Sequence, residues 1–189
     1  SSSDYAALFK AAFGKDEITG SDMLRALSQF MAMCVSSNSR YDSIMRGDAG
    51  KGFTPAEAAG QTLFRQKCSA CHPEPLFTDF SFRNNGLPPS MVNDEGRAHV
   101  TQVPQDLYKF KVPSLRNLTY TAPFMHDGRF LSLEAVLDHY HSGVQPMATL
   151  DPLLQQGATT GIPLTATEKQ QIIAFLLTLN DKSFLLDPL

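Results

Sequence analysis

The sequence predicts an all-α protein whose helices enclose a long ordered loop. Three observations predict it. Apolar residues recur at helical spacing in several segments, and two of these segments open on a Thr-x-x-Glu capping box, Thr54/Glu57 and Thr165/Glu168. No stretch alternates apolar and polar residues as a half-buried strand does, so the sequence leaves room for a minor hairpin at most. Residues 73–118 hold six prolines and little periodicity. A loop of that length inside a domain usually surrounds something.

The elements follow in chain order. Residues 4–14, "DYAALFKAAFG", read as a short helix ended by Gly14. Ser21 or Asp22 is expected to cap a second helix, "MLRALSQFMAMCV", with apolar residues at 23, 24, 27, 30, 31 and 34. "RYDSIMRG" reads as another helical turn stopped by Gly47, and "GDAGKG" at 47–52 as a linker-like break. The helix "TPAEAAGQTLFRQKC" has Thr54 at its N-cap, Pro55 at the first helical position and Glu57 three residues on. After the long loop, "LSLEAVLDHYH" at 131–141 is expected to be helical, with Ser132 as N-cap and Gly143 beyond its end. The last helix, "TATEKQQIIAFLLTL", presents Ile172, Ile173, Phe175, Leu176 and Leu179 as an apolar face. On this basis residues 1–50 form a helical segment apart from a second domain at 51–189.

Composition narrows the function. The chain has 16 basic and 19 acidic residues, a formal charge of −3, and no basic run of the kind that tracks nucleic acid. No apolar run approaches the ~20 residues that span a bilayer. The chain opens "SSSDYAALF", without Met or leader, and is expected to be processed or trimmed. Three cysteines make no disulfide framework. Cys34, inside an apolar helical pattern, is expected to be a small buried core residue.

The other two cysteines carry the chemistry. Cys68, Cys71 and His72 form C-x-x-C-H at the end of a helix. On a helical turn, residues i and i+3 share a face and i+4 is adjacent. Two thiols so placed can each add to one vinyl group of a single porphyrin, with His72 beneath it toward the iron. C-x-x-C-H reads as c-type haem attachment. A thioredoxin-like C-x-x-C wants a βαβ context, which is missing. A zinc site wants four ligands, and the spacing of His72, His99, His126, His139 and His141 matches no zinc pattern. Because c-type haem is attached on the exported side of a membrane, a periplasmic or otherwise exported location is expected. Spacing alone leaves the sixth iron ligand open among Met91, Met125, Met147, His99, His126, His139, His141, Tyr108, Tyr120 and Tyr140. A thioether favours ferrous iron and a high potential; a phenolate, a hard anion, favours ferric iron and a low one.

Gly60, eight residues before Cys68, together with Phe64 and the C-terminal Phe175, resembles the class I cytochrome c frame, in which two helices cross closely before the haem motif. A longer block is more specific. "FKVPSLRNLTYTAPFMHDGRFLSLEAVLDHY" at 110–140 closely resembles the C-terminal haem domain of bacterial di-haem cytochrome c peroxidases and the related MauG proteins. "YAALFKAAFGKDEIT", "SNSRYD", "GQTLFRQKCSACH", "GRAHVTQ" and "GIPLTATEKQQIIAFLLTLND" extend the resemblance over essentially the whole chain.

The resemblance implies a second haem domain, the one that relays electrons to a peroxide-reacting haem. It assigns Cys68, Cys71 and His72 to one covalent haem. It also places the distal iron ligand fourteen residues after His126, at Tyr140, where ordinary peroxidases carry Met and MauG-like members Tyr; Met125 and Met147 are the alternatives. Arg116 is implied near the haem, suited to a propionate. Backbone carbonyls of Thr121 and Pro123 are implied Ca²⁺ ligands, and His126 and Asp127 are implied to hold their loop by hydrogen bonds. There is no second C-x-x-C-H and no tryptophan, so the peroxide-reacting haem lies outside this chain, and residues 1–50 resemble the tail of the first domain.

The expected function is electron transfer within a protein that reduces H₂O₂ to water. The partners would be a small redox donor protein or quinol-linked donor, the missing peroxidatic domain and a second copy in a homodimer. The alternatives are MauG-like oxidation of a protein or small substrate through high-valent iron, a stand-alone monohaem electron carrier, and a haem-free scaffold.

Overall fold

A computed structural model describes residues 3–186. Helices dominate them: α1 Ser3–Phe13, α2 Gly20–Met33, α3 Arg40–Met45, α4 Pro55–Lys67, α5 Ala98–Thr101, α6 Leu133–Asp138, α7 Ala166–Leu177 and α8 Lys182–Leu186. The all-α class holds, with two short antiparallel pairings. β1 Phe82–Arg83 joins β2 Phe110–Lys111 across the long loop, and β3 Gln155–Gln156 joins β4 Thr159–Thr160 as a tight hairpin. The described chain forms two compact units, one running up to Ser37 and resuming at Lys182, the other Asn38–Asp181.

In the first unit, α1 closes as expected on Gly14, which takes φ +72° while its N–H donates to the Lys10 carbonyl at 2.8 Å. The cap of α2 differs from the expectation. Thr19, not Ser21 or Asp22, is the N-cap: its hydroxyl accepts the Asp22 N–H at 3.2 Å, and Asp22 accepts the Thr19 N–H at 3.3 Å. Thr19-x-x-Asp22 is a capping box with Asp in the third position, so Asp22 does belong to the cap, from inside the helix. The apolar face of α2 is open in this unit: Met23, Leu24, Leu27, Phe30 and Met31 are all more than half exposed. Cys34 is half-buried at the C-cap of α2 rather than in a core, because the helix ends one residue before it.

The second unit is built on the crossing of α4 and α7. Its core gathers Tyr41, Phe64, Phe77, Leu137, Leu164, Ile172, Phe175, Leu176 and Leu179. Phe64 and Phe175 meet at 5.2 Å between ring centroids, with Phe77 5.7 Å from Phe64 and Tyr41 5.1 Å from Phe77. Each buried Phe contributes about 2–3 kcal/mol of transfer free energy, so this cluster dominates the unit. Gly60 makes the crossing possible: a Cβ there would stand 1.9 Å from the Gln171 carbonyl oxygen. α4 and α7 each start on the expected capping box, Thr54/Glu57 and Thr165/Glu168. α3 starts on a third, Ser39/Asp42, and the Tyr41 N–H reaches the Thr178 carbonyl at 2.9 Å, which fixes α3 at the end of α7.

Candidate functional site

Cys68 is the C-cap of α4, and its N–H still donates to the Phe64 carbonyl at 2.8 Å. The chain then makes one more turn. Both the Cys71 N–H and the His72 N–H donate to the Cys68 carbonyl, at 3.2 and 3.0 Å. Both thiols are free and half-buried. Burial pushes the Cys68 thiol up to about 12, with Cys71 adding to the effect; burial also raises Cys71, opposed by the Arg83 guanidinium. Arg83 is held in turn by Asp79 and Asp151, each at 2.8 Å, and by the Ser81 hydroxyl at 2.8 Å.

The His72 ring is held by the backbone of Phe77 and of Pro113. Its Nδ1 lies 2.9 Å from the Phe77 carbonyl oxygen, an acceptor only, so Nδ1 carries the proton and Nε2 keeps its lone pair. Burial favours the neutral imidazole. This is the second-shell arrangement that orients a metal-ligating histidine. Phe77 holds its carbonyl in place from a fully buried ring, and the neighbouring Thr78 hydroxyl donates to the Val112 carbonyl at 2.6 Å.

Tyr140 approaches from another element. α6 runs into a π turn, His139–Gly143, which carries Tyr140 inward. Such turns rotate a side chain relative to a regular helix and recur at functional sites. Burial raises the Tyr140 hydroxyl, the Asn85 side chain opposes this, and negative charge on Cys71 or Cys68 raises it further. The tyrosine and the two cysteines therefore share one region. Asn85, beside Tyr140, donates through Nδ2 to Met125 Sδ at 3.4 Å, and the preceding Asn84 donates through Nδ2 to Met147 Sδ at the same distance.

The other sixth-ligand candidates are engaged or placed elsewhere. Met91 and His99 are exposed. Tyr120 is 45% exposed, and the Tyr108 hydroxyl donates to Asn93 at 3.1 Å. His139 is buried with Nε2 3.1 Å from the Asn85 carbonyl, and His141 Nδ1 accepts the Leu164 N–H at 3.1 Å. His126 holds its loop by stacking on Phe110, 3.7 Å between centroids, rather than by a hydrogen bond, while Asp127 pairs with Arg129 at 2.8 Å. Arg116 makes a bidentate pair with Asp42 at 2.8 and 2.9 Å and also donates to the Pro75 carbonyl at 2.9 Å. These contacts tie the start of the long loop to α3. Thr121 and Pro123 are exposed. Among the described residues, no three His, Cys, Asp or Glu side chains cluster as they would around a bare metal ion.

Asn84 and Asn85, the Arg83 network and Phe77 are the site features that sequence reasoning did not single out. "NNG" at 84–86 was the available signal, a turn-forming triplet inside a proline-rich loop.

The donor set fits a c-type haem. Two thiols sit one turn apart, an imidazole has its tautomer fixed, and the half-buried Tyr140 lies within electrostatic reach of both cysteines. Comparison with known proteins agrees. A family model described as di-haem cytochrome c peroxidase matches residues 1–50. The methylamine utilization protein MauG of Methylorubrum extorquens is 38% identical over 93% of this chain and 49% of its own length. The cytochrome-c peroxidase IdrP2 of Denitromonas iodatirespirans is 31% identical over 94% of this chain and 53% of its own. A crystal structure of a MauG-like protein associated with microbial copper homeostasis superposes with a TM-score of 0.79 and 33% identity, covering 99% of this chain and 61% of that one. The chain spans about half the length of the curated relatives it matches.

Proposed function

This chain belongs to the di-haem cytochrome c peroxidase and MauG family, whose members carry covalently bound c-type haem, and on that premise we propose that its Cys68–His72 turn holds one such haem and relays electrons. Bound there, a haem supplies a one-electron Fe(III)/Fe(II) couple. Cys68 and Cys71 would anchor the macrocycle as thioethers, one thiol to each vinyl group. His72 is the proximal ligand, its ring held by the Phe77 carbonyl. Tyr140 is the distal ligand. Arg116, paired with Asp42 and the Pro75 carbonyl, keeps the loop closed and is the residue suited to a haem propionate. Carbonyls of Thr121 and Pro123, exposed on their turn, are available to a Ca²⁺. Residues 51–189 are read as the cytochrome domain and 1–50 as the tail of the preceding one.

In the parent protein the relayed electrons serve reduction of H₂O₂ at a second haem. They come from a small redox protein or quinol-linked donor in an exported compartment, and the parent works as a homodimer. One observation favours a second reading. The chain is 38% identical to a MauG protein, and although burial favours the neutral phenol, Tyr140 bound to iron would give up its proton and supply a hard donor that stabilises oxidised iron, which suits oxidation of a protein or small substrate as in the MauG branch.

The observation that carries the proposal is the His72–Phe77 contact directly after two free, half-buried thiols. The test is to produce the chain with haem-attachment machinery and record its mass and its ferric and dithionite-reduced spectra, beside the Tyr140→Phe variant. One covalent haem per chain and ferric ligand bands that change in the variant are expected. A colourless protein sinks the haem reading. A thioether charge-transfer band in wild type, unchanged in Tyr140→Phe, sinks the Tyr140 assignment and leaves a high-potential carrier.

A further inference from the structure

Two of the candidate sixth ligands, Met125 and Met147, are methionine thioethers. Neither sulfur is free. Met125 Sδ accepts from Asn85 Nδ2 and Met147 Sδ from Asn84 Nδ2, each at 3.4 Å. The two asparagines are consecutive, so one short stretch of backbone governs both.

Each carboxamide is also locked at its oxygen. Asn84 Oδ1 accepts the Gly86 N–H at 2.8 Å, and Asn85 Oδ1 accepts the Leu87 N–H at 3.4 Å. This is the same residue-to-second-neighbour turn made twice. With the oxygens spent on the backbone, the NH₂ groups point outward to the sulfurs. Asn84 is 1% exposed, and its Nδ2 also donates to Thr149 Oγ1 at 2.9 Å, which passes the link to the Leu107 carbonyl at 2.7 Å. Asn85 has a further contact: its main-chain carbonyl lies 3.1 Å from His139 Nε2, at the start of the π turn that carries Tyr140, and its side chain lies against the Tyr140 hydroxyl. Asn85 thus touches the machinery of two competing ligands at once.

We propose that Asn85 is a positioning residue that selects the sixth ligand: its amide holds the Met125 thioether and so keeps that sulfur from replacing Tyr140 on the iron. The proposal rests on the reading of Tyr140 as the distal ligand. A thioether is a weak acceptor, and an N–H directed at its lone pair both fixes its position and competes with a metal for it. The Asn84–Met147 contact does the same for the second methionine.

The test uses the haem-loaded chain. Asn85→Asp keeps an oxygen for the Leu87 N–H and leaves the main-chain contact to His139 in place, but removes both amide donors. Asn85→Leu removes them without adding charge. Ferric absorption and electron paramagnetic resonance report the ligand, and the midpoint potential reports its softness. In both variants the ferric phenolate signature is expected to weaken, a thioether charge-transfer band to appear and the potential to rise. Adding Met125→Leu is expected to abolish the new band, and Met125→Leu alone to leave the wild-type spectrum unchanged. A phenolate signature that persists in both Asn85 variants overturns the proposal and leaves Tyr140 standing. A new band that survives Met125→Leu overturns it as well. A thioether band in the wild type that Met125→Leu removes overturns both this proposal and the Tyr140 reading.

Discussion

Gly60 shows most directly how one residue sets the geometry of the site. A Cβ at this position would stand 1.9 Å from the Gln171 carbonyl oxygen, 2.6 Å from its carbon and 3.0 Å from Phe175 Cβ. Two of these three atoms are backbone and cannot rotate away, so an alanine must push α4 off α7. Overpacking of this kind costs about 1–3 kcal/mol, and more where the backbone must move. Gly60→Ala is expected to destabilise the protein by about 3 kcal/mol, read as a fall in the urea midpoint. It is also expected to lower the yield of covalently attached haem, since α4 delivers Cys68. A midpoint equal to that of wild type would mean that the two helices do not cross here. Gly60 was legible in the sequence because its distance from Cys68 and the aromatics on either helix fit a close crossing. Asn85 was not. Its role depends on residues 40 and 55 positions further along the chain, Met125 and Tyr140, and no local pattern signals such a meeting. His126 was read as a hydrogen-bonding residue, but a ring can hold a loop by stacking, and sequence does not distinguish the two.

Helices were legible where their ends carry chemistry. α4 and α7 begin at the predicted threonines because Thr-x-x-Glu satisfies two otherwise orphaned N–H groups. The α2 boundary was misplaced because Asp22, itself a good cap residue, serves from the third helical position. Periodicity showed that α2 has an apolar face; it does not say what packs against it, and within its unit that face is open. The change of α6 into a π turn has no sequence signature, yet it directs Tyr140. The cap of α7 makes a further link. Thr165 Oγ1 accepts the Glu168 N–H at 3.2 Å, and Glu168 accepts the Thr165 N–H at 2.7 Å and Lys67 Nζ at 3.0 Å. Lys67 also donates to the Pro163 carbonyl at 2.7 Å. It is the last residue of α4, immediately before Cys68, so the N-terminus of α7 is tied to the end of the helix that presents the thiols. Thr165→Ala is expected to cost about 1 kcal/mol in unfolding free energy. Thr165→Ser, which keeps the acceptor, should recover most of it. Equal losses in the two variants would show that the methyl group, not the cap, provides the stability.

Across the second unit, stability is tied to carboxylates that bridge distant segments. Asp42 pairs with Arg116, Asp151 with Arg83 and Glu168 with Lys67, and each pair joins stretches more than sixty residues apart. The Thr165 backbone N–H and the Lys67 ammonium hold the Glu168 carboxyl at about 2. Burial pushes Asp79 up, but the Ser81 hydroxyl and Arg83 outweigh it and bring it to about 2. Asp42 is likewise raised by burial and lowered further by Arg116 and Ser39, with a net fall. The unfolded chain titrates these groups near 4. Glu168, Asp79 and Asp42 therefore bind a proton more readily unfolded than folded; the contribution of Glu168 and Asp79 is complete above pH ~4 and lost as pH falls toward ~2, and that of Asp42 is lost on the same acid side. The urea midpoint is expected to be flat from pH 7 to 5 with respect to these groups and to drop steeply below pH 4. Arg116→Gln isolates one pair. Its deficit against wild type should be largest at neutral pH and shrink as Asp42 protonates. Because both side chains are about nine-tenths buried, at 11% and 12% exposure, the deficit should survive added salt better than that of an exposed pair such as Arg46–Asp48. A deficit that stays constant from pH 7 to 2 would mean that Arg116 acts through its contacts to the Pro75 carbonyl and the Tyr41 and Phe77 rings rather than through its charge on Asp42.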